Sequence, residues 1–269
     1  MMNYQCINFG ISENNKVAAA SGLAACGKIP FVYTTNSFLA YRSYEFIRDD
    51  VCLQNRNVKL VGMGCGLSWS TLGPTHHTTE DIGALKALPN LILFSPASPL
   101  ELEKVVKKAY EIKGPVYIRM GMSNEKEIYE DDYSLEVGKN IVIKEGKSAT
   151  VFCTGSIISE LLEAQDMLSK DDIDLRIINI HTIKPLDDES IKKECTMQRN
   201  IFSLEEHSII GAIGSSIADV IAINGLDVKL VKIGLNDKFA DGYGTYREIK
   251  KMNSLDAESI YKIIKQNLC

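Results

Sequence analysis

The side chains best able to do chemistry are an early carboxylate, an aromatic triplet and a histidine turn. Glu13 closes the run Gly10-Ile11-Ser12-Glu13 and opens a helical pattern, Glu13–Cys26. A carboxylate there can share a proton with a ligand, or it can simply favour the positive end of the helix dipole. Ser12 is placed to cap that helix with its hydroxyl. Phe38, Tyr41 and Tyr44 recur at i, i+3 and i+6, so on a helix they form one aromatic stripe. Such a stripe can stack on a planar ring, although by itself it serves a core equally well. His76 and His77 follow Gly73-Pro74-Thr75 on a turn, where an imidazole can act as acid or base near neutral pH or stand idle at the surface. Gly62-Met63-Gly64-Cys65-Gly66 lacks dinucleotide-fingerprint spacing and no P-loop lysine follows, so it does not specify a phosphate cradle. Glu205-Glu206-His207 offers a metal site or a dyad on paper. Polar clusters after strands commonly satisfy neighbouring loops, and we read this one as interface and packing.

Short β-branched runs alternate with amphipathic stretches, the pattern of parallel sheets with helices on both faces. Strands are expected at Phe31–Thr35, Val58–Met63, Leu91–Ser95 and Val116–Met120, with helices at Ala40–Leu53, Glu80–Ala87 and Pro99–Ile112. Pro99 suits a first helical turn, and Gly114-Pro115 stops that helix before the next strand. From Ser123 to Lys147 the chain turns polar and charged, with acidic runs at Glu125–Glu127 and Glu130–Asp132. This reads as a solvated connector ending in a hairpin around Glu145-Gly146. Alternation then resumes with strands Ala149–Thr154, Leu175–Ile180, Asn200–Leu204 and Val228–Ile233. Helices are expected at Ser159–Leu168, Asp188–Lys193, Ala212–Ile223 and Ala257–Asn267. The fold class is α/β, with two doubly wound domains at 1–122 and 148–269 and a linker at 123–147.

Bulk composition narrows the function classes. Hydrophobic residues are 45% and charged residues 24%, the balance of a globular protein, and the net charge of −5 argues against a nucleic-acid surface. No apolar run approaches the ~20 residues that span a bilayer. The seven cysteines are odd in number and contain no C-x-x-C, which points to buried thiols and a cytoplasmic setting. With four histidines and no zinc-type spacing, a metal cage from this chain is not expected.

Taken together, in this order, the motifs resemble the transketolase family. Gly10-Ile11-Ser12-Glu13 resembles its G-I-A-E run, Ser37–Tyr41 with Tyr44 its aromatic pocket, and Gly73-Pro74-Thr75-His76 its G-P-T-H turn. Lys184-Pro185-Leu186-Asp187, Glu205-Glu206-His207 and Gly211–Ser215 resemble its K-P-L-D, E-E-H and G-G-L-G-S. The likeness covers nearly the whole chain and implies a pyrimidine-binding domain followed by a transketolase C-terminal domain.

The resemblance also assigns roles. Glu13 would bond N1′ of the aminopyrimidine of thiamine diphosphate, favouring the imino form whose 4′-nitrogen removes the thiazolium proton. That task asks for a carboxyl in a poorly solvated pocket. Ile11 would join the cofactor site, Phe38 would stack on the pyrimidine, and Tyr41 and Tyr44 would complete the wall. His76 would face the sugar substrate. The family holds the diphosphate through Mg²⁺ with a Gly-Asp-Gly motif in another domain, and no Gly-Asp-Gly occurs here. A second, N-terminal transketolase-like subunit is therefore implied, in an assembly of two copies of each chain with this chain dimerising. The implied reaction moves a two-carbon ketol unit from a ketose to an aldose. A deoxyxylulose-phosphate-synthase-like or oxo-acid-dehydrogenase-β-like subunit is the alternative enzyme. A non-catalytic scaffold is the alternative outside enzymes, motivated by a motif that starts at residue 10, without the strand and helix that usually precede it. Leu72 stands where many relatives carry a donor-binding aspartate, and Met122 where an arginine grips the acceptor phosphate. Arg119 is the nearest alternative substrate grip, and an acceptor that is unphosphorylated or phosphorylated elsewhere is expected.

Overall fold

The computed structural model describes residues 6–122, 126–129 and 133–268. Its strands are β1 (Phe31–Thr35), β2 (Lys59–Met63), β3 (Ile92–Phe94), β4 (Val116–Met120), β5 (Ile141–Lys144), β6 (Ala149–Thr154), β7 (Leu175–Asn179), β8 (Thr182–Lys184), β9 (Asn200–Ser208) and β10 (Lys229–Leu235). The helices are α1 (Glu13–Ala25), α2 (Tyr44–Phe46), α3 (Asp81–Leu85), α4 (Pro99–Glu111), α5 (Ile158–Leu168), α6 (Asp188–Met197), α7 (Ile213–Ile223), α8 (Tyr246–Met252) and α9 (Ala257–Leu268). Two π-helical turns, Phe38–Arg42 and Ile47–Leu53, flank α2.

Two five-stranded sheets result, ordered β1-β2-β4-β3-β8 and β10-β9-β6-β7-β5. Each is parallel except for one antiparallel edge strand, β8 in the first and β5 in the second. The inner strands β2, β4, β6 and β7 are buried along almost their whole length, which is why they read as mostly apolar rather than as strict alternation. β8 comes from the second half of the sequence yet completes the first sheet. Accordingly Ile180, Ile183, Ile191 and Ile213 pack in the same apolar cluster as Leu60 and Leu85.

Pro99 takes the first turn of α4, with the Ser98 hydroxyl accepting from Glu101 N. Three local expectations change. Ser12 does not cap α1 with its side chain; its hydroxyl turns back to donate to Phe9 O at 2.7 Å. There is no hairpin at Glu145-Gly146, because β5 pairs with β7 and not with β6. The connector is anchored where it is described, since Tyr129 and Tyr133 both donate to the buried Glu101 at 2.6 and 2.9 Å. Most of its acidic run lies outside the described residues.

Candidate active site

Ligands of open α/β sheets gather at the carboxyl ends of the strands, and the first sheet sends its functional turns there. The chain leaving β1 forms the first π turn, and the chain leaving β2 runs through the Gly73–His76 turn to α3. Backbone amides of His76 and His77 both donate to Gly73 O, at 2.9 and 3.1 Å, which fixes the turn. Glu13 opens α1 with its side chain only 4% exposed. These segments converge. The His76 ring meets the Phe38 ring edge-on with centroids 5.2 Å apart, and Glu13 Oε2 accepts from Arg42 Nη1 at 2.6 Å. The Arg42 guanidinium in turn lies 4.5 Å above the Phe38 ring.

Arg42 is the member that sequence reasoning missed. An α-helical stripe would place Tyr41 over Phe38; the wider π turn brings i and i+4 nearly into line instead, so Arg42 stacks there. Tyr41 and Tyr44 are drawn aside along α3. The Tyr41 hydroxyl donates to Glu80 Oε2 at 2.7 Å and accepts from Glu80 N at 3.0 Å. Tyr44 donates to Ala84 O at 3.3 Å. Burial, joined by the negative charges of Asp81 and Glu80, pushes the Tyr41 phenol well above its usual range, so it stays a neutral donor. Ile11 stands apart, 89% exposed.

Arg119 is not where a substrate could meet it. Its side chain is 2% exposed and paired with Asp81, which is fully buried. Arg119 Nε lies 3.1 and 3.0 Å from the two Asp81 oxygens, and Nη2 donates to Thr78 O at 3.1 Å and to Glu206 O at 3.0 Å. The expected substrate grip is thus a clamp between the halves, because β4 is an inner strand and its side chains point into packed layers. Asp81 also accepts from Tyr117 OH at 2.7 Å and Asn36 Nδ2 at 3.0 Å. Burial alone would raise its pKa, but Arg119, His207 and these two donors hold it below the ordinary carboxylate value.

The cluster on β9 completes the junction. Glu205 accepts from the amides of Ile213 and Gly214 at 2.9 and 3.1 Å, receiving the start of α7. Glu206 accepts from Leu67 N and the Tyr246 hydroxyl, and Gly83 N donates to His207 Nε2 at 3.4 Å. No group of three or more His, Cys, Asp or Glu side chains among the described residues could hold a metal ion. The glycine run at the end of β2 and just beyond it proves to be packing. A Cβ on Gly62 would lie 1.8 Å from Asn36 Oδ1, and one on Gly66, at φ +60°, would lie 2.3 Å from Glu206 Oε1. Helix α8, which supplies Tyr246, was unforeseen; its signal was the capping box of Thr245 and Glu248.

The pocket at Glu13 suits an aminopyrimidine on this chain's own evidence. It already holds a flat N–H-donating group, the Arg42 guanidinium, which bonds the buried carboxylate and lies over the Phe38 ring. An open cavity of about 1150 Å³ lies elsewhere, along the outer edge of β1 between Leu23, Phe31, Tyr33 and Tyr110. Neither Glu13, Phe38 nor His76 lines it.

Comparison with known proteins shows the family of the two domains. Residues 2–126 match the transketolase pyrimidine-binding domain and residues 138–260 the transketolase C-terminal domain. A transketolase C-terminal section of Methanocaldococcus jannaschii is 37% identical over 263 residues, covering 97% of this chain and 82% of that protein. One subunit of an apulose-4-phosphate transketolase from Actinobacillus succinogenes is 34% identical, covering 94% of this chain and 82% of that protein. A solved split-gene transketolase, described as an inactive β4 tetramer, superposes with a TM-score of 0.90 at 34% identity, covering 99% of this chain and 85% of that one. The chain therefore belongs to the transketolase family, as the section that carries its pyrimidine-binding and C-terminal domains.

Proposed function

We propose that this chain is the C-terminal subunit of a split, cytoplasmic transketolase that moves a two-carbon ketol unit from a ketose to an aldose. The observation that carries the reading is the convergence of a buried Glu13 carboxylate, the Phe38 face and the His76 edge at one strand-end pocket. Glu13 would bond N1′ of the aminopyrimidine of thiamine diphosphate and exchange a proton there. Phe38 would support the ring's face, with Tyr41 and Tyr44 holding the wall against α3. His76, whose Nδ1 lies 2.9 Å from the Thr75 hydroxyl, would be oriented to handle protons of the sugar. When bound, the cofactor supplies the nucleophilic carbon and the electron sink for the cleaved fragment. A partner chain bearing Gly-Asp-Gly would hold the diphosphate and Mg²⁺, two copies of each chain forming the working assembly. With Arg119 committed to Asp81, this chain's β4 offers the acceptor no phosphate grip. An unphosphorylated acceptor, or one whose phosphate the partner binds, fits that arrangement.

The test is reconstitution. The chain alone, given thiamine diphosphate and Mg²⁺, should transfer no ketol unit, and addition of the partner should restore transfer. In the complex, Glu13→Gln keeps the shape but not the exchangeable proton and should lower turnover by roughly 10²-fold or more. Full activity from the isolated chain would refute the two-chain reading; a near-normal Glu13→Gln rate would refute the role of Glu13.

A further inference from the structure

We infer that Arg42 is a resident placeholder in the pyrimidine pocket, and that its guanidinium must leave Glu13 and Phe38 before a cofactor ring can enter. The inference rests on the proposed function and adds to it a competition that sets cofactor affinity.

Arg42 uses the same two surfaces that the ring requires. Its Nη1 donates to Glu13 Oε2 at 2.6 Å, and its guanidinium carbon sits over the Phe38 ring, 4.5 Å from the centroid. A heteroaromatic ring stacked on Phe38 with its N–H edge on Glu13 would fill that volume, so the two occupants exclude each other. The guanidinium is also a fair imitation of the ring: flat, delocalised and donating in its own plane. Glu13 has no other side-chain hydrogen-bond partner among the described residues, so Arg42 is what satisfies this buried carboxylate.

The arginine is built to move. Its side chain is 45% exposed, and it has no other side-chain hydrogen bond or ion pair among the described residues. Withdrawal places the guanidinium in solvent at the loss of one ion pair and one cation–π contact. Partly exposed contacts of these kinds are weak individually. A site closed by such an internal competitor binds its ligand with the intrinsic affinity reduced by the open fraction.

The experiment measures thiamine diphosphate binding, with Mg²⁺, to the reconstituted complex by titration calorimetry. Wild type, Arg42→Ala and Arg42→Lys are compared. Arg42→Ala should bind roughly three- to thirtyfold more tightly, the range set by losing one exposed ion pair and one cation–π contact. Arg42→Lys keeps the charge without the flat fork and should fall between the two. Arg42→Ala should also lower the melting temperature of the cofactor-free complex, since the buried Glu13 carboxylate loses its partner, and bound cofactor should restore it. Equal or weaker binding by Arg42→Ala overturns the placeholder and makes Arg42 a bystander or a cofactor ligand. Absence of binding by every complex, wild type included, overturns the pyrimidine-site reading and the placeholder with it. Should Arg42→Ala not assemble, the Arg42→Lys affinity decides: tighter than wild type supports the placeholder, equal or weaker overturns it.

Discussion

Two of the arginine–carboxylate pairs in the first half of the chain, Arg42–Glu13 and Arg119–Asp81, differ in almost every physical respect. Arg42–Glu13 joins a half-exposed cation to a buried carboxylate through one bond. Arg119–Asp81 is sealed, with side chains 2% and 0% exposed, and each partner is further bonded by groups from other segments. The sealed pair has Tyr117, Asn36, Thr78 and Glu206 to occupy its remaining donors and acceptors, so it behaves as one unit. Neither member can leave without stranding the other in a dry interior. Beyond its carboxylate the open pair has only the Phe38 ring to hold its cation. Saturation by fixed neighbours makes an ion pair structural, whereas exposure and sparse bonding leave it exchangeable.

The largest expected effect breaks the sealed pair. Asp81→Asn removes the countercharge while Arg119 stays buried and charged, and the complex should lose about 3–5 kcal/mol of stability. Urea unfolding checks this, with a shift of midpoint at unchanged slope. A midpoint close to wild type would show that the junction is looser than its bonding indicates.

Next comes the open side. Phe38→Ala should weaken thiamine diphosphate binding to the complex by roughly tenfold, the order of one lost ring–ring contact. Its melting temperature should change little, because Phe38 is only partly buried. Collapse of stability with unchanged affinity in the folded fraction would return Phe38 to the core and remove the contrast between the two regions.

The third test is a pH dependence beside the sealed pair. Burial pushes the Glu205 carboxyl up from 4.5 to about 7, against the pull of the Ile213 and Gly214 amides. An acid whose folded value exceeds its unfolded one holds more protons when folded. Its contribution is therefore favourable at low pH and is lost as pH rises from about 4.5 through 7. Glu205→Gln, which cannot titrate, should flatten that part of the stability profile, measured by thermal melts across the same range and about one unit beyond it. A profile identical to wild type would assign the slope to other groups.

Much of the fold was legible because it is written in local periodicity. β1, β4, β6 and α4 fall where apolar runs, Pro99 and Gly114 place them, since backbone geometry and near neighbours decide such elements. β8 was not legible. Three residues carry too little pattern, and their strand exists only because β3 offers an edge to pair with. α8 did carry a signal, the spacing of Thr245 and Glu248, which a search for caps would have found.

For the site the division is similar. By itself the sequence determined which residue types could do chemistry, namely a helix-opening Glu13, an aromatic Phe38 and a turn-borne His76, because motif and spacing are local properties. It also determined the order of strands and helices that carries them to one edge of a sheet. Only the tertiary structure decided which carboxylate each arginine meets. Arg42 reaches Glu13 across 29 residues of sequence and Arg119 reaches Asp81 across 38. Neither distance leaves a trace in periodicity. Arg119 turns inward because β4 lies between β2 and β3 in the packed sheet, and Arg42 stays outward because a π turn, one residue wider than an α turn, lifts it onto Phe38.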